Sequence, residues 1–196
     1  LLGCRPVCAK IGLYGSFQKT YLGHGTDKAL IGGLLGMNVD DLRLRNSLEI
    51  ARQEGLEYSF YPAELRHAHP NTVIMDVDGE DGRHLTVQAS SVGGGEIRVN
   101  AIDGLEAGFS GHENTIVLTY ADTRGMIAAI SKQVSEAHLN IATMRVFRDT
   151  QGGKAIMALE LDGEAPDELL QALAQLRDVY RVANLPAAEE NASCEQ

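Results

Sequence analysis

The chain has 196 residues, 44% of them hydrophobic, and a formal net charge of −10 at pH 7. That length and apolar content suit one large domain or two small ones and exclude wholesale disorder. The basic residues are scattered, so an acidic surface argues against nucleic-acid binding. No apolar run is long enough to span a bilayer, so no membrane association is expected.

The thiols are Cys4, Cys8 and Cys194. Three cannot all pair, and a chain of this size does not need disulfide staples, so a reducing, cytoplasmic setting is expected. Their spacing suits neither a zinc site nor an iron–sulfur cluster, so no metal site is expected within this chain. Leu1 to Lys10 shows no secretory signal. A start at Leu1 rather than Met suggests a fragment or a processed end.

In chain order, Ile11 to Phe17 reads as a buried strand. Gly23-His24-Gly25-Thr26 reads as a tight loop with Thr26 or Asp27 as helix N-cap, and a helix follows to about Leu35. The Gly32-Gly33 pair inside it predicts close packing against a neighbour. A second helix covers Ser47 to Glu54 and stops at Gly55. Glu57 to Tyr61 alternates as a half-buried strand does. His69-Pro70-Asn71-Thr72 turns into a strand at Val73 to Val77. Gly79 to Gly82 closes a hairpin onto Leu85 to Val87. Gly93-Gly94-Gly95 precedes Glu96 to Val99, and Asp103-Gly104 turns the chain toward Leu105 to Phe109. This half is mixed α/β with a strand-rich end.

From Asn114 the plan is β-α-β-β-α-β. Thr115 to Tyr120 is a strand, and Ile127, Ile130, Val134 and Ala137 recur at helical spacing. Strands follow at Asn140 to Phe147 and Lys154 to Leu161. Leu169, Leu173 and Leu176 mark a second helix before a last strand, Val179 to Leu185. The fold class is α+β, ending in a ferredoxin-like unit. The predicted divisions are 1–112, 113–187 and a polar tail, 188–196.

The loop with Gly125 opening a helix, and His138-Leu139-Asn140-Ile141 before the second strand, resemble the ACT domain, a small regulatory module that commonly pairs and binds amino acids. The resemblance implies ACT-mediated self-association. The first N–H groups of the helix after Gly125 carry the positive end of its dipole and suit a carboxylate. Asn140 is positioned to meet an amino acid's polar groups across a dimer interface. The plainer reading is that Gly125 makes a turn and Asn140 starts a strand, and both readings stand.

In the first half, Leu13-Tyr14-Gly15-Ser16-Phe17, Lys19-Thr20 and Gly23-His24-Gly25-Thr26-Asp27 resemble the β subunit of iron–sulfur-dependent bacterial L-serine dehydratases. His69-Pro70-Asn71-Thr72 and Ser91-Val92-Gly93-Gly94-Gly95 resemble further landmarks in order. The resemblance implies an allosteric substrate-binding type domain followed by ACT. It implies a lyase subunit converting L-serine to pyruvate and ammonia, inactive without a partner α subunit whose cysteines hold a [4Fe-4S] cluster. His24, Thr26 and Asp27 are expected as supporting catalytic residues at the partner interface, with Gly25, Ser16 and Asn71 as ligand-binding residues. Imidazole titrates near neutral pH, so His24 can shuttle protons, and the helix start at Gly25 and Thr26 can hold a carboxylate. The alternative is a loop histidine and a capping aspartate. Family members begin with a longer segment that has no counterpart here, so truncation is expected. The competing function is a non-catalytic amino-acid sensor. A regulatory tail of phosphoglycerate dehydrogenase is disfavoured, because Gly23-His24-Gly25-Thr26-Asp27-Lys28 carries no third glycine of a dinucleotide fingerprint.

Overall fold

The structure is a computed structural model that describes residues 1–187. The polar tail and Cys194 lie outside the described residues. The chain gathers into two compact units, Leu2–Ile97 and, together with Leu1, Arg98 onward.

In the first unit, β1 (Pro6–Leu13) leads into helices α1 (Ser16–His24) and α2 (Thr26–Leu34). A 3-10 turn (Leu42–Asn46) and α3 (Ser47–Gln53) precede β2 (Glu57–Pro62), β3 (Thr72–Gly79) and β4 (His84–Gly93). The strand order runs β2-β1-β3-β4. β2 lies parallel to β1, and the neighbours on the other side are antiparallel. A parallel pair needs a long crossover, and the three helices are that crossover. Ala9, Ile11 and Leu13 alternate on β1 and pack with Val73, Val77, Ile31, Ala51 and Leu56 into one core.

Two expectations about this unit change. The first strand ends at Leu13, and Ser16 and Phe17 belong to α1. The stretch Gly23–Thr26 is not a loop, because Gly23 and His24 complete α1 and Thr26 opens α2. Gly25 alone, at φ 71° and ψ 17°, joins them. A left-handed glycine ends one helix and starts the next, so a longer loop is unnecessary. Gly25 therefore takes the N-cap place expected of Thr26 or Asp27. Gly32 meets its expectation, since the Leu44 side chain fills the space that a Cβ would need, whereas Gly33 has open space.

The second unit contains β5 (Glu96–Ile102) and β6 (Leu105–Phe109), turned at Asp103-Gly104, then β7 (Asn114–Ala121), α4 (Met126–Glu136), β8 (Ile141–Arg148), β9 (Lys154–Leu161), α5 (Asp167–Ala174) and β10 (Val179–Leu185). The sheet order β10-β7-β9-β8 is the ferredoxin-like one, with antiparallel neighbours throughout. Ile116, Leu118 and Tyr120 point to α4 and α5, whose Ile130, Val134, Leu169 and Leu173 complete the core. On the sheet's other face Val117, Ile156 and Ala158 are also buried. There β6 packs on β8 and β9, contributing buried Ala107 and Phe109.

The fold class is thus α+β, a mixed α/β unit followed by a ferredoxin-like one. By backbone contacts the compact units divide at Ile97/Arg98, and β6 packs on β8 and β9. No helix among the described residues is long and apolar enough to cross a membrane.

Candidate functional sites in the two units

In the first unit, three sequence landmarks converge where β1 ends. Gly15 sits at φ 62° and ψ −118°, and a Cβ there would lie 2.5 Å from the Pro70 carbonyl oxygen. Only glycine fits that place. The close approach lets the Tyr14 N–H reach the Thr72 carbonyl at 3.0 Å and the Ser16 N–H reach the Pro70 carbonyl at 2.8 Å. On the far side the Ser91 N–H donates to the Asn71 carbonyl at 3.0 Å. Beneath them the buried hydroxyls of Thr72 and Ser90 lie 2.8 Å apart, and Thr72 donates to the His69 carbonyl at 2.6 Å. His69 is a turn-former, its Nδ1 accepting the Asn71 N–H at 3.2 Å. Ser16, exposed, and Asn71, half-buried, are thereby held on neighbouring segments.

His24, Gly25, Thr26 and Asp27 form a second group at the other end of α1. A nine-residue helix is about 13 Å long, so α1 holds this group apart from Ser16 and Asn71. His24 is exposed in the last turn of α1. The Gly25 N–H donates to the Tyr21 carbonyl, closing that helix. Asp27 is only 4% exposed, and its Oδ1 has no hydrogen-bond partner among the described residues. A buried oxygen without a partner costs about 1–3 kcal/mol, so it calls for an explanation. Below it, the buried Ser47 hydroxyl donates to the Lys28 carbonyl at 2.7 Å and fastens α3 to α2.

In the second unit the candidate residues are Gly125 and Asn140. Gly125, at φ 90°, is the exposed N-cap of α4. The loop before it is pinned. The Asp122 carboxylate accepts from Arg148 at 2.8 Å and from the Gly152 N–H at 3.1 Å, and Thr123 donates to Asp178 at 3.3 Å. The Gly152 N–H and Arg148 hold the Asp122 carboxyl below its ordinary pKa. Asn140 is exposed and donates to Asp162 at 2.6 Å. It lies just before β8 rather than within it. The 11 residues of α4 span about 17 Å, so one chain does not bring Gly125 and Asn140 together.

Sequence reasoning missed the Arg145–Glu160 pair on the sheet face. Arg145 donates to Glu160 at 2.8 Å, and the Ser110 N–H and hydroxyl reach its other oxygen at 3.4 Å. Burial pushes the Glu160 carboxyl up, but the Arg145 and Ser110 hydrogen bonds and the Arg145 charge outweigh it, leaving a lowered pKa. The signal was a glutamate within the otherwise apolar run Ala155 to Leu161.

Among the described residues no group of three or more His, Cys, Asp or Glu side chains is placed to hold a metal ion. Cys4 donates to Asp81 at 3.1 Å, a bond that raises its thiol pKa.

These features define, first, a class. A family model for the ACT domain matches residues 114–178, the ferredoxin-like unit with Gly125 and Asn140. The remaining resemblance covers both units. The chain is 33% identical over 185 residues to the probable L-serine dehydratase, beta chain, of Bacillus subtilis (strain 168), covering 94% of this chain and 84% of that protein. It is 35% identical over 162 residues to the L-serine dehydratase, beta chain, of Peptoniphilus asaccharolyticus, covering 82% of this chain and 73% of that protein. The chain belongs to the L-serine dehydratase beta-chain family. It is also 28% identical over 156 residues to the D-3-phosphoglycerate dehydrogenase of Bacillus subtilis (strain 168), of which it spans 30%.

Proposed function

We propose that this chain is the β subunit of an L-serine dehydratase and supports the [4Fe-4S]-dependent deamination of L-serine to pyruvate and ammonia together with an α subunit. The observation that carries the reading beyond family membership is Asp27, a buried residue whose Oδ1 has no partner among the described residues, three positions after exposed His24. A ligand or partner group that donates a hydrogen bond there removes the desolvation cost.

This chain offers no gathered ligand set among the described residues, and Cys4 is engaged with Asp81. The proposal therefore assigns the cluster to the α subunit and confines this chain to binding and orienting. Loss of water from serine requires that the Cα proton be removed and the hydroxyl protonated as it leaves. His24 brings the imidazole of this group and is its side chain suited to passing a proton. Thr26, which opens α2, presents its N–H and hydroxyl to the substrate carboxylate, and Gly25 sets the turn that starts the helix there. Ser16 and Asn71, about a helix length away, are too far to share one L-serine with that group and bind a second molecule. In the second unit, Gly125 of one copy and Asn140 of another form an amino-acid site when two ACT units associate.

Anaerobic reconstitution with a cluster-bearing α subunit tests the reading. Pyruvate should form from L-serine only when this chain is added, and His24→Ala should lower turnover by about 100-fold or more. Full turnover without this chain, or unchanged turnover in His24→Ala, would sink the respective claim.

A further inference from the structure

We propose that Asp162 makes the amino-acid site of the second unit selective for a ligand with a free ammonium group, by fixing which end of the Asn140 amide meets that ligand. The inference deepens, and rests on, the reading above that Gly125 of one copy and Asn140 of another form the site. Asn140 directly precedes β8, and Asp162 directly follows β9. Ile141 and Leu161 are register partners, so Asn140 and Asp162 meet where the strand pair ends. They are bonded twice. The Asp162 N–H donates to the Asn140 carbonyl at 3.2 Å, and the Asn140 Nδ2 donates to the Asp162 carboxylate at 2.6 Å.

The chemistry of this pair fixes the amide. An asparagine can turn either its oxygen or its NH2 toward a neighbour, and the partner decides which. A carboxylate only accepts, so the NH2 faces Asp162. Amide bonds to a charged acceptor are stronger than neutral ones, which holds the side chain against rotation. The Asn140 Oδ1 takes no hydrogen bond among the described residues and is left as an acceptor. Both residues are exposed, so the pair is open to a ligand. An ammonium donates and cannot accept, so it matches an amide oxygen and is turned away by an NH2. A hydroxyl does either and is indifferent to the choice.

The other half of the site has the opposite polarity. The N-terminus of α4, after Gly125, carries the positive end of the helix dipole, and exposed Arg124 precedes Gly125 in sequence. Asp122, the acid of that loop, is paired with Arg148 at 2.8 Å, so its charge is neutralised there. One half therefore takes a carboxylate and the other an ammonium. The ligand class is an α-amino acid zwitterion held in one direction. Asp162 acts through Asn140 and is a positioning residue.

The test compares L-serine with L-glycerate, which has a hydroxyl in place of the ammonium, using the full chain and the Gly125 amide resonance as the reporter of this unit. The parent should bind L-serine at least about tenfold more tightly. Asp162→Lys, whose ammonium only donates, should turn the amide over and weaken L-serine about tenfold while moving L-glycerate less than about threefold. Asp162→Glu should keep the parent's selectivity. Asp162→Ala, which only frees the amide, should weaken L-serine by up to about sixfold, from three χ1 wells and two amide orientations. In an Asn140→Ala background, Asp162→Lys should leave L-serine within about threefold, since the residue it acts through is gone. Equal weakening of both ligands by Asp162→Lys, or the same loss of L-serine without Asn140, would overturn the role of Asp162 while leaving the amino-acid site standing. A Gly125 amide that L-serine does not shift in the parent would take down the site and this role with it.

Discussion

The two units treat their polar residues in opposite ways. In the ferredoxin-like unit Asp122, Asn140 and Glu160 all have partners, and two helices bury a full apolar stripe against the sheet. In the first unit α1 buries no residue fully, and Asp27 keeps a buried oxygen without a partner among the described residues. One unit is complete as a packed body. The other holds back a helix and a carboxylate, which is the condition of a surface that receives something.

The comparison is broken most directly in the core of the second unit. Leu173 is fully buried beneath the sheet, so Leu173→Ala should cost about 3 kcal/mol in urea unfolding. A loss under about 1 kcal/mol would mean that the packing is looser than described.

Asp27→Asn should do the reverse, lowering turnover of the reconstituted enzyme by about 100-fold while leaving the unfolding midpoint close to the parent's. A variant that unfolds early yet turns over normally would make Asp27 a structural residue.

Acid sharpens the contrast at Glu160. Its folded carboxyl lies below the ordinary value of 4.5, so on acidification the unfolded chain takes up the proton first. The stability it contributes is present above about pH 4.5 and is lost as pH falls through the lowered folded value. The second unit should therefore weaken on acidification, and Glu160→Gln should flatten that part of the stability profile. Equal slopes for parent and variant would remove the ion pair from the account.

The smallest effect belongs to α1. Leu22 is 72% exposed, so Leu22→Ala should change unfolding by no more than about 0.5 kcal/mol. A larger loss would show α1 to be better anchored than its burial indicates.

Much of this was legible in the residues. The ferredoxin-like order follows from apolar periods that switch between strand and helix spacing, and only Asn140 shifts out of its strand by one residue. The strand that was expected to run through Phe17 misread a short apolar run, because an isolated Leu-Tyr-Gly-Ser-Phe does not reveal that Gly15 turns sharply against Pro70. Likewise a Gly-His-Gly string reads as a loop until one left-handed residue joins two helices.

Local patterning by itself determined the α+β class, the two-part organisation, the resemblance to the beta-chain family and the candidates at 24–27, because those depend on spacing along the chain. Tertiary structure alone decided that the β5–β6 hairpin groups with the second unit, that Ser16 is held against Pro70 while His24 stands a helix length away, and that Asp27 is buried with an oxygen that has no partner among the described residues. The physical reason is that burial and partnership are properties of segments distant in sequence. Pro70 sets the place of Gly15 and the second sheet sets the place of Phe109, and neither is written in the neighbouring residues.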